Sequence, residues 1–445
     1  MCEGNKSKII CPSYYCRCWK INLCERSRNE GKYFLGYVAK KTKQKKGIHA
    51  SGDVIEPEHT TKMLSCHYNK HSLSSITVGT VPMVREPKNN EIIVKIHSTS
   101  LNPADWKSAS GEQAALLSFD WPRVIGFDFS GTVHQLGNQQ SDTFKVGDRV
   151  FGMIQGLPER DRGTLQEYCV VKEKICARIP TNTSYKSAAA VPLVGITAVK
   201  MLEACGLTSL DLTVANAADG EEKKQTEPEL RVLVTGGAGG VGVHAIQIAK
   251  NLFGATFVAT TASAGTKTEL CRQVGADLIV DYKASKFEEV LSGDEKKFDA
   301  ILDCTGEASK CIKLLKRGGG MCSILAGPTA DALQTWLREG EWPTSKVTIG
   351  VHSFLHSGCG GSLFQFFAGG SSLVSKCVKE GATFAHVIGT GNGKIMKILG
   401  EMMKMKLLVA IVDKEYALDD AVEAIHYQKA GRCAGKVVVN VVPEE

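Results

Sequence analysis

The chain has 445 residues, 43% of them hydrophobic and 23% charged, which is typical of a water-soluble globular protein with two or three domains. No stretch approaches the roughly 18 consecutive apolar residues of a membrane-spanning helix, so the sequence predicts no transmembrane span. The formal net charge of +7 is concentrated in residues 1–50, where twelve Lys and Arg residues stand against three Glu residues. The remainder is slightly acidic, so nucleic-acid binding by the folded part is not expected.

Residues 1–62 are basic, polar and without hydrophobic periodicity, so we expect a disordered extension or a targeting segment. Glu3, Glu25 and Glu30 are unusual for a transit peptide, which is normally poor in acidic residues. Met63 begins the first segment that resembles a domain, so initiation at Met63 is an alternative explanation of the extension.

The cysteines indicate a reducing compartment. Five of the sixteen crowd into residues 1–24, and the others are scattered through predicted strands and helices as buried thiols would be. The early cluster lacks the paired C-x-x-C spacing and the nearby histidine of a zinc site, so no metal centre is predicted. We therefore expect a cytoplasmic protein, with a mitochondrial or other organellar location as the alternative if residues 1–62 are a targeting segment.

Residues 63–194 contain short strand-like runs separated by Gly, Pro and Asp turns, which predicts a twisted, partly closed antiparallel barrel. The predicted strands are EIIVKIH at 91–97, FSGTVHQLG at 129–137, DRVFGMI at 148–154 and QEYCVVKEKICARI at 166–179.

The stretch RVLVTGGAGGVGVHAIQIAK at 231–250 combines a buried strand, a glycine-rich turn and an amphipathic helix. In the dinucleotide-binding motif G-x-G-x-x-G, the first glycine permits the tight turn, the second lets the backbone approach a pyrophosphate, and the third lets helix and strand pack closely. The helix N-terminus adds free N–H groups and a positive dipole end. The motif residues are Gly237, Ala238, Gly239, Gly240, Val241 and Gly242.

Further apolar runs alternate with helical segments after this motif, which predicts a doubly wound parallel sheet. With the strand at 231–234 they make six, the number in a Rossmann domain. We assign this domain to residues 195–350, with a charged surface insertion at 211–230. The further predicted strands are TFVAT at 256–260, ADLIVD at 276–281, FDAILD at 298–303, GMCSIL at 320–325 and KVTIGV at 346–351.

The end of the second predicted strand favours NADPH over NADH. NAD-binding domains place an acidic residue there to bind the ribose 2′-OH. Here the strand ends in small residues that include Thr261 and Ser263, and Lys267 follows. Hydroxyl groups and a cation suit a 2′-phosphate.

Seven motifs occur in the order found in the medium-chain dehydrogenase/reductase superfamily. Residues 63–445 resemble its zinc-free quinone oxidoreductase branch, which includes zeta-crystallin-like proteins, reticulon-4-interacting-protein-like proteins and plant enone reductases. The motifs are LNPADWK (101–107), PRVIGFDFSGTV (122–133), KVGDRVFG (145–152), GTLQEY (163–168), AAAVPLVGITAVKML (188–202), the glycine motif and GKVVV (435–439).

The resemblance implies an α/β protein with a GroES-like β-barrel substrate domain and a Rossmann domain, the segment 351–445 completing the substrate domain. Zinc-dependent members have Cys at the position of Asn102 and a His-Glu pair at Phe127-Asp128, so the resemblance implies that no catalytic zinc binds. It also implies a homodimer.

The resemblance implies further contacts to NADPH. Lys267 and Tyr282 match the residues that bind the adenosine 2′-phosphate, with Ser263 as an additional contact, and Thr197 matches the threonine that approaches the nicotinamide. Cys304 and Thr305 should border the ribose, and Phe354 and His356 fall where a late loop meets the nicotinamide.

Without zinc, the substrate must be an electrophile that is already activated, such as a quinone or an α,β-unsaturated carbonyl. Asn102 is a candidate donor to the developing oxyanion, Lys107 a candidate proton donor, and Asp105 a residue lining the cleft. An alternative for Asn102 and Asp105 is that they only cap a turn and start a helix.

Three functions are open from the sequence. The first is zinc-independent, NADPH-dependent reduction of quinones or of enone C=C bonds. The second is 2-enoyl-thioester reduction in fatty-acid synthesis, and the third is a non-enzymatic NADPH-binding scaffold or RNA-contacting protein.

Overall fold

The computed structural model describes residues 62–111, 121–137, 141–154, 163–210, 212, 229–325, 372–387 and 389–442. All of them belong to one unit spanning His59–Glu445. The extension at 1–61 and the predicted strand at 346–351 lie outside the described residues.

The strands are labelled in chain order. They are β1 (Lys62–Tyr68), β2 (Ile76–Pro82), β3 (Glu91–Leu101), β4 (Arg123–Val124), β5 (Asp128–Leu136), β6 (Arg149–Met153), β7 (Tyr168–Lys172), β8 (Cys176–Arg178), β9 (Arg231–Val234), β10 (Phe257–Ala262), β11 (Leu278–Asp281), β12 (Phe298–Asp303), β13 (Leu315–Ser323), β14 (Thr383–His386), β15 (Val412–Ala417) and β16 (Lys436–Asn440).

The α-helices follow the same numbering, and short 3₁₀ segments connect several elements. The labelled α-helices are α1 (Pro103–Ser110), α2 (Tyr185–Ala189), α3 (Pro192–Ala204), α4 (Gly240–Asn251), α5 (Thr266–Gln273), α6 (Phe287–Val290), α7 (Ala308–Cys311), α8 (Gly393–Lys404) and α9 (Ala421–Lys429). Residues 372–379, which adjoin residues outside the described part, are also helical. The 3₁₀ segments are Leu73–Ser75, Glu173–Ile175, Asp294–Lys296, Ile312–Leu314 and Leu418–Asp420.

A mixed sheet forms the first half of the fold. Its strand order is β15-β16-β3-β5-β6-β8, with β7 also paired to β3, and every pair is antiparallel except β15 with β16. The strand β3 is buried almost throughout because it has neighbours on both edges. A separate small sheet has the order β2-β1-β4. The antiparallel organisation predicted for residues 63–194 is therefore present.

A six-stranded parallel sheet forms the second half, with the order β11-β10-β9-β12-β13-β14. Counted from β9, this is 3-2-1-4-5-6, the order of a doubly wound dinucleotide-binding domain. The helices α3 and α4 pack against each other beside this sheet. One continuous cluster of buried apolar residues extends from the mixed sheet through these helices to the parallel sheet.

The C-terminal segment contributes to both sheets, which differs from the expectation for 351–445. The strand β14 is the sixth strand of the parallel sheet, whereas β15 and β16 join the mixed sheet. The helix α3 also crosses the predicted boundary at 194/195. The chain therefore returns to the mixed sheet later than the resemblance implied. The strand at 383–386 was not recognised from the sequence because it is short and weakly apolar.

Candidate functional site

The glycine motif follows β9 and its last three residues begin α4, so it joins strand to helix as predicted. Close packing explains two of its glycines. A side chain at Gly237 would overlap the Thr260 hydroxyl on β10, and one at Gly242 would overlap the carbonyl oxygen of Gly236. A Cβ at Gly239 would meet only that carbonyl oxygen, at 3.3 Å. Packing therefore restricts Gly239 much less than Gly237 and Gly242, and close approach of a pyrophosphate to the backbone at the start of α4 gives a further reason for this glycine.

The carboxyl ends of β10 and β11 bring the predicted 2′-phosphate residues to one edge of the sheet. In the parallel pairing Ala262 lies opposite Asp281, so the segments that follow these strands begin side by side. Ser263 and Lys267 are half-buried, and Tyr282 is 52% exposed. These side chains can therefore meet a phosphate that reaches this edge.

Thr261 is buried and hydrogen-bonds to the backbone of the glycine turn. Its hydroxyl oxygen accepts a hydrogen bond from the backbone N–H of Gly236 at 2.9 Å, and its carbonyl accepts one from Gly237 at 2.9 Å. Gly236 has a φ of 69°, a left-handed conformation that favours glycine. Thr261 therefore fixes the shape of the turn.

The buried carboxylate of Asp303 orders the loop after β12, which carries Cys304 and Thr305. It accepts backbone N–H groups from Thr305, Gly306, Glu307 and Ala308 at 2.9–3.2 Å, together with hydroxyls from Thr235 and Ser323 at 3.1 and 2.7 Å. The hydroxyl of Thr235 also receives hydrogen bonds from the backbone N–H of Cys304 and the hydroxyl of Thr305, each at 2.9 Å. This loop therefore borders the glycine motif in a fixed conformation.

Thr197 is buried on α3, and the segment 389–391 passes over it. A Cβ at Gly389 would lie 3.0 Å from the Thr197 hydroxyl, and the ammonium of Lys200 donates to the hydroxyl of Thr390 at 3.0 Å. The predicted contacts Phe354 and His356 lie outside the described residues. In the described part of the C-terminal segment, residues 389–391 lie next to Thr197.

Asn102 and Asp105 occupy the start of α1. The carboxylate of Asp105 accepts the backbone N–H of Asn102 at 2.6 Å, and the backbone N–H of Asp105 donates to the carbonyl of Asn102 at 3.0 Å. The local roles that the sequence offered as an alternative, a cap and a helix start, are therefore present. Asp105 is 2% exposed, and one oxygen of its carboxylate, Oδ2, is engaged by the backbone of this turn.

The side chain of Asn102 belongs to a buried polar network rather than to an open cleft. Its amide nitrogen donates to Asp128 Oδ2 at 2.8 Å and to the carbonyl of Ser100 at 3.3 Å, and its oxygen accepts from the Lys436 ammonium. All of its hydrogen-bonding groups are thus engaged. A role in binding a developing oxyanion would require Asn102 to give up one of these bonds.

Asp128 is the centre of this network. Its Oδ2 also accepts the Ser100 hydroxyl at 2.9 Å and lies 3.4 Å from the Lys436 ammonium, and its Oδ1 accepts the backbone N–H of Leu193 at 2.8 Å. Phe127, the neighbour that replaces a possible metal ligand, is packed in the apolar core. These two residues therefore serve packing and hydrogen bonding in the position where zinc-dependent members have a His-Glu pair.

Burial shifts the ionisation of this network. It raises the pKa of Asp105 to about 7, with the nearby Asp128 charge acting in the same direction and the Asn102 N–H and Lys436 opposing it. Burial also lowers the pKa of Lys436, while Asp128 and Asp105 oppose that shift. The neighbouring His244 has its pKa lowered to about 4 by burial and donates through Nδ1 to the Gly240 carbonyl at 2.7 Å.

Lys107 lies apart from the buried network. It is half-buried on α1, and its ammonium lies 5.6 Å from the centre of the Trp106 ring, as does the ammonium of Lys429. Of the three catalytic candidates, Asn102 and Asp105 are therefore buried, and Lys107 is partly exposed.

Sequence reasoning missed Lys436 as a site residue. The available signal was a lysine directly before the apolar run VVV of the GKVVV motif, which predicts a buried strand and so a lysine in need of partners. Its partners are hundreds of residues away in the chain, so no local pattern identifies them.

The fold and the site together define a dinucleotide-binding α/β protein in which a second, mixed sheet contributes residues beside the nucleotide cradle. Residues 88–181 match the family model "Alcohol dehydrogenase GroES-like domain", and residues 274–439 match the model "Zinc-binding dehydrogenase". The chain belongs to the medium-chain dehydrogenase/reductase superfamily of oxidoreductases.

Two plant enzymes are among its similar relatives. The 2-methylene-furan-3-one reductase of Solanum lycopersicum is 30% identical over 365 residues, which cover 81% of this chain and 74% of that enzyme. The chloroplastic NADPH-dependent alkenal/one oxidoreductase of Arabidopsis thaliana is 29% identical over 301 residues, which cover 67% of this chain and 71% of that enzyme.

A solved structure shows the same fold. The quinone oxidoreductase from Coxiella burnetii superposes with a TM-score of 0.65 at 23% identity and covers 86% of this chain and 100% of that protein. No helix in the described part of the chain has the length and apolar character needed to cross a membrane.

Proposed function

We propose that this chain is a zinc-independent, NADPH-dependent oxidoreductase that reduces quinones or the C=C bond of α,β-unsaturated carbonyl compounds. The observation that carries the proposal is the edge formed by the ends of β10 and β11. It presents Ser263, Lys267 and Tyr282 together and has no carboxylate at the end of β10. The relatives named for alkenal/one, furanone and quinone substrates support the substrate class.

The chain's own residues provide three regions for the cofactor. The glycine turn and the start of α4 would bind the pyrophosphate, the edge at Ser263, Lys267 and Tyr282 the 2′-phosphate, and Thr197 the nicotinamide end. NADPH, when bound, supplies a hydride. The remaining contribution of the protein is to orient the reactants and to exclude water from the reacting atoms.

A conjugated substrate needs less activation than a saturated ketone. When hydride reaches its ring or β-carbon, negative charge moves through the conjugated system to oxygen, so hydrogen-bond donors or water can stabilise it. A proton then reaches the product from a side chain or from solvent. Lys107 is the candidate on α1 whose ammonium is not held in the buried network.

The test is NADPH consumption with a quinone, an enone and the saturated ketone that matches the enone, followed by product identification. We expect the quinone or the enone C=C bond to be reduced and the saturated ketone to remain unchanged. Formation of an alcohol from the saturated ketone would contradict the proposal. Tight NADPH binding without turnover would favour a non-enzymatic role instead.

A substitution at Lys267 tests the preference for NADPH over NADH. Lys267→Ala removes the cation at the 2′-phosphate edge, so KM for NADPH should rise by roughly tenfold or more, since a hydrogen bond to a charged group contributes about 1.5–3 kcal/mol. KM for NADH should not change. Lys404→Ala is a matched control because Lys404 is an exposed lysine paired with Glu401 on α8. An equal loss with both cofactors would contradict the assigned role of Lys267.

We propose a small-molecule substrate and, by family resemblance, a homodimer, which light scattering of the purified chain tests. A cytoplasmic location is proposed with an organelle as the alternative, because relatives are named mitochondrial and chloroplastic. Imaging the full chain with a C-terminal fluorescent tag distinguishes these locations.

A further inference from the structure

Lys436 is a fully buried lysine that touches both halves of the site. It is 3% exposed, its ammonium donates to Asn102 Oδ1, and it lies 3.4 Å from Asp128 Oδ2. Its alkyl stem passes the start of α4, where a Cβ at Gly240 would lie 3.0 Å from Lys436 Cδ. The preceding residue, Gly435, donates its N–H to the Ala238 carbonyl of the glycine turn at 2.9 Å.

The partner of Lys436 extends this connection to α3. Asp128 accepts the backbone N–H of Leu193 in the first turn of α3, the helix that carries Thr197. One ion pair therefore contacts the start of α1, the start of α3 and the glycine turn. These are the three segments that carry the candidate substrate residues, the nicotinamide contact and the pyrophosphate cradle.

The energetics of a buried ion pair favour a role in orienting neighbouring groups over a role in stabilising the fold. Removing two charges from water costs several kcal/mol each, and a buried ion pair is often no more stabilising than apolar residues of the same volume. Apolar side chains, however, would not fix the orientation of the Asn102 amide. Lys436 requires the amide oxygen on its own side, and Asp128 requires the amide nitrogen on the other.

We propose that Lys436 is a positioning residue: through Asn102 and Asp128 it fixes the nicotinamide end of the cofactor site relative to the start of α1, where the substrate binds. The proposal rests on the proposed function. It assigns Lys436 no direct contact with the cofactor or the substrate.

The experiment compares four variants of the full-length chain. Lys436→Met keeps the length of the side chain without its charge, Asp128→Asn removes the opposite charge, and the double variant removes both. Lys414→Met on the neighbouring strand β15 is the control, because Lys414 is exposed and its ammonium faces Glu423 and the rings of Tyr416 and Tyr427 rather than the network around Asp128. For each variant we would measure kcat at saturating NADPH, Kd for NADPH, Tm and the fluorescence emission of bound NADPH.

For Lys436→Met we expect kcat to fall by roughly ten- to a hundredfold, as small misplacements of reacting groups do, while Kd for NADPH stays within about threefold of wild type. Tm should fall because Asp128 is left as an uncompensated buried charge. The double variant should regain Tm and still have a low kcat, because the oxygen of Asn102 still lacks its partner. The emission of bound NADPH should shift in both variants.

Three results would overturn the proposal. The first is a kcat for Lys436→Met equal to that of Lys414→Met. The second is joint recovery of kcat and Tm in the double variant, which a purely stabilising ion pair would give. The third is a rise in Kd for NADPH as large as the fall in kcat, which a direct cofactor contact would give.

The proposed function can fail separately. A wild-type chain that binds NADPH and reduces no quinone or enone would contradict the proposed function alone. The emission of bound NADPH then decides the role of Lys436: a shift in Lys436→Met but not in Lys414→Met supports positioning, and unchanged emission overturns it.

Discussion

The carboxyl group of Asp105 is held at the start of α1 in a setting that favours its protonated form. It is buried, with a pKa raised to about 7, because burial disfavours the carboxylate and Asp128 adds a second negative charge nearby. In the unfolded chain the same group has a pKa near the ordinary value of an aspartate, 3.8. Between about pH 4 and pH 7 the carboxyl group of Asp105 is therefore protonated in the folded state and ionised in the unfolded state.

This difference predicts a pH-dependent stability. A group whose pKa is raised on folding contributes stability that is fully present below its unfolded pKa and is lost as pH rises through its folded pKa. In Asp105→Asn, which keeps an oxygen for the Asn102 N–H, that contribution no longer depends on pH. We expect the unfolding free energy of wild type, relative to the variant, to fall by about 3 kcal/mol between pH 5 and pH 8.

Urea unfolding of wild type and Asp105→Asn at pH 5 and pH 8 measures this change. Asp419→Asn provides the control, since Asp419 is an exposed aspartate. The same difference between wild type and Asp105→Asn at both pH values would show that Asp105 does not titrate in this range.

Among individual residues, those in local motifs were predictable and those in long-range networks were not. Thr261 was expected beside the 2′-phosphate, but its buried hydroxyl holds the glycine turn instead. Ser263, Lys267 and Tyr282 do share one edge, because parallel strands bring their carboxyl ends together. Their contacts with NADPH remain predictions. The network around Asp128 joins residues as far apart as Asn102 and Lys436, so only the folded chain shows it.

Two glycines where β9 leads into α4 should respond differently to substitution by alanine, because packing restricts Gly242 more than Gly239. An alanine at Gly242 would overlap the Gly236 carbonyl, so Gly242→Ala should lower the unfolding free energy by about 1–3 kcal/mol, as overpacking does. An alanine at Gly239 would meet that carbonyl only at 3.3 Å. Gly239→Ala should therefore fold with nearly wild-type stability but bind NADPH at least tenfold more weakly.

Tm and NADPH titration of both variants check this prediction. Because the two substitutions lie three residues apart in one turn, each is a control for the other. Wild-type NADPH affinity in Gly239→Ala would mean that the pyrophosphate does not approach the backbone at this glycine.

Strands and helices with strong periodicity were predicted closely. The run FDAILD at 298–303 is β12 to the residue, and the helix after the glycine motif is α4. The strand β13 begins at Leu315, five residues before the predicted start, because the residues that follow Leu315, KRGGG, have no apolar pattern. The sixth strand of the sheet, β14, was not predicted, because a run of four residues gives no clear periodicity. The sixth strand predicted from the sequence, at 346–351, lies outside the described residues.

At the scale of the whole molecule, the last strand joins the two halves of the fold. The strand β16 lies between β15 and β3 in the mixed sheet, and Val437, Val438 and Val439 are buried there. Gly435, directly before it, pairs with Gly239 of the glycine turn. Sequence order alone did not show this, because the contact depends on where the chain returns after the parallel sheet.

This connection predicts that ligand binding on one half stabilises the other. NADPH at about 100 times its Kd should add about 2.7 kcal/mol to the unfolding free energy of every element that unfolds together with the glycine turn. Trp106 and Trp121 pack against the cluster of buried residues that includes β1 and α9. In a variant whose other three tryptophans are replaced by phenylalanine, their fluorescence therefore reports on the half that contains the mixed sheet.

Urea unfolding should therefore show one transition by far-UV circular dichroism and by tryptophan fluorescence, and NADPH should shift both midpoints equally. Val438→Ala, which weakens the packing of β16, should lower both midpoints together, whereas Val409→Ala at an exposed position should change neither. A tryptophan transition that NADPH does not move would mean that the two sheets unfold independently. The contacts of Gly435 and Lys436 would then be too weak to couple them.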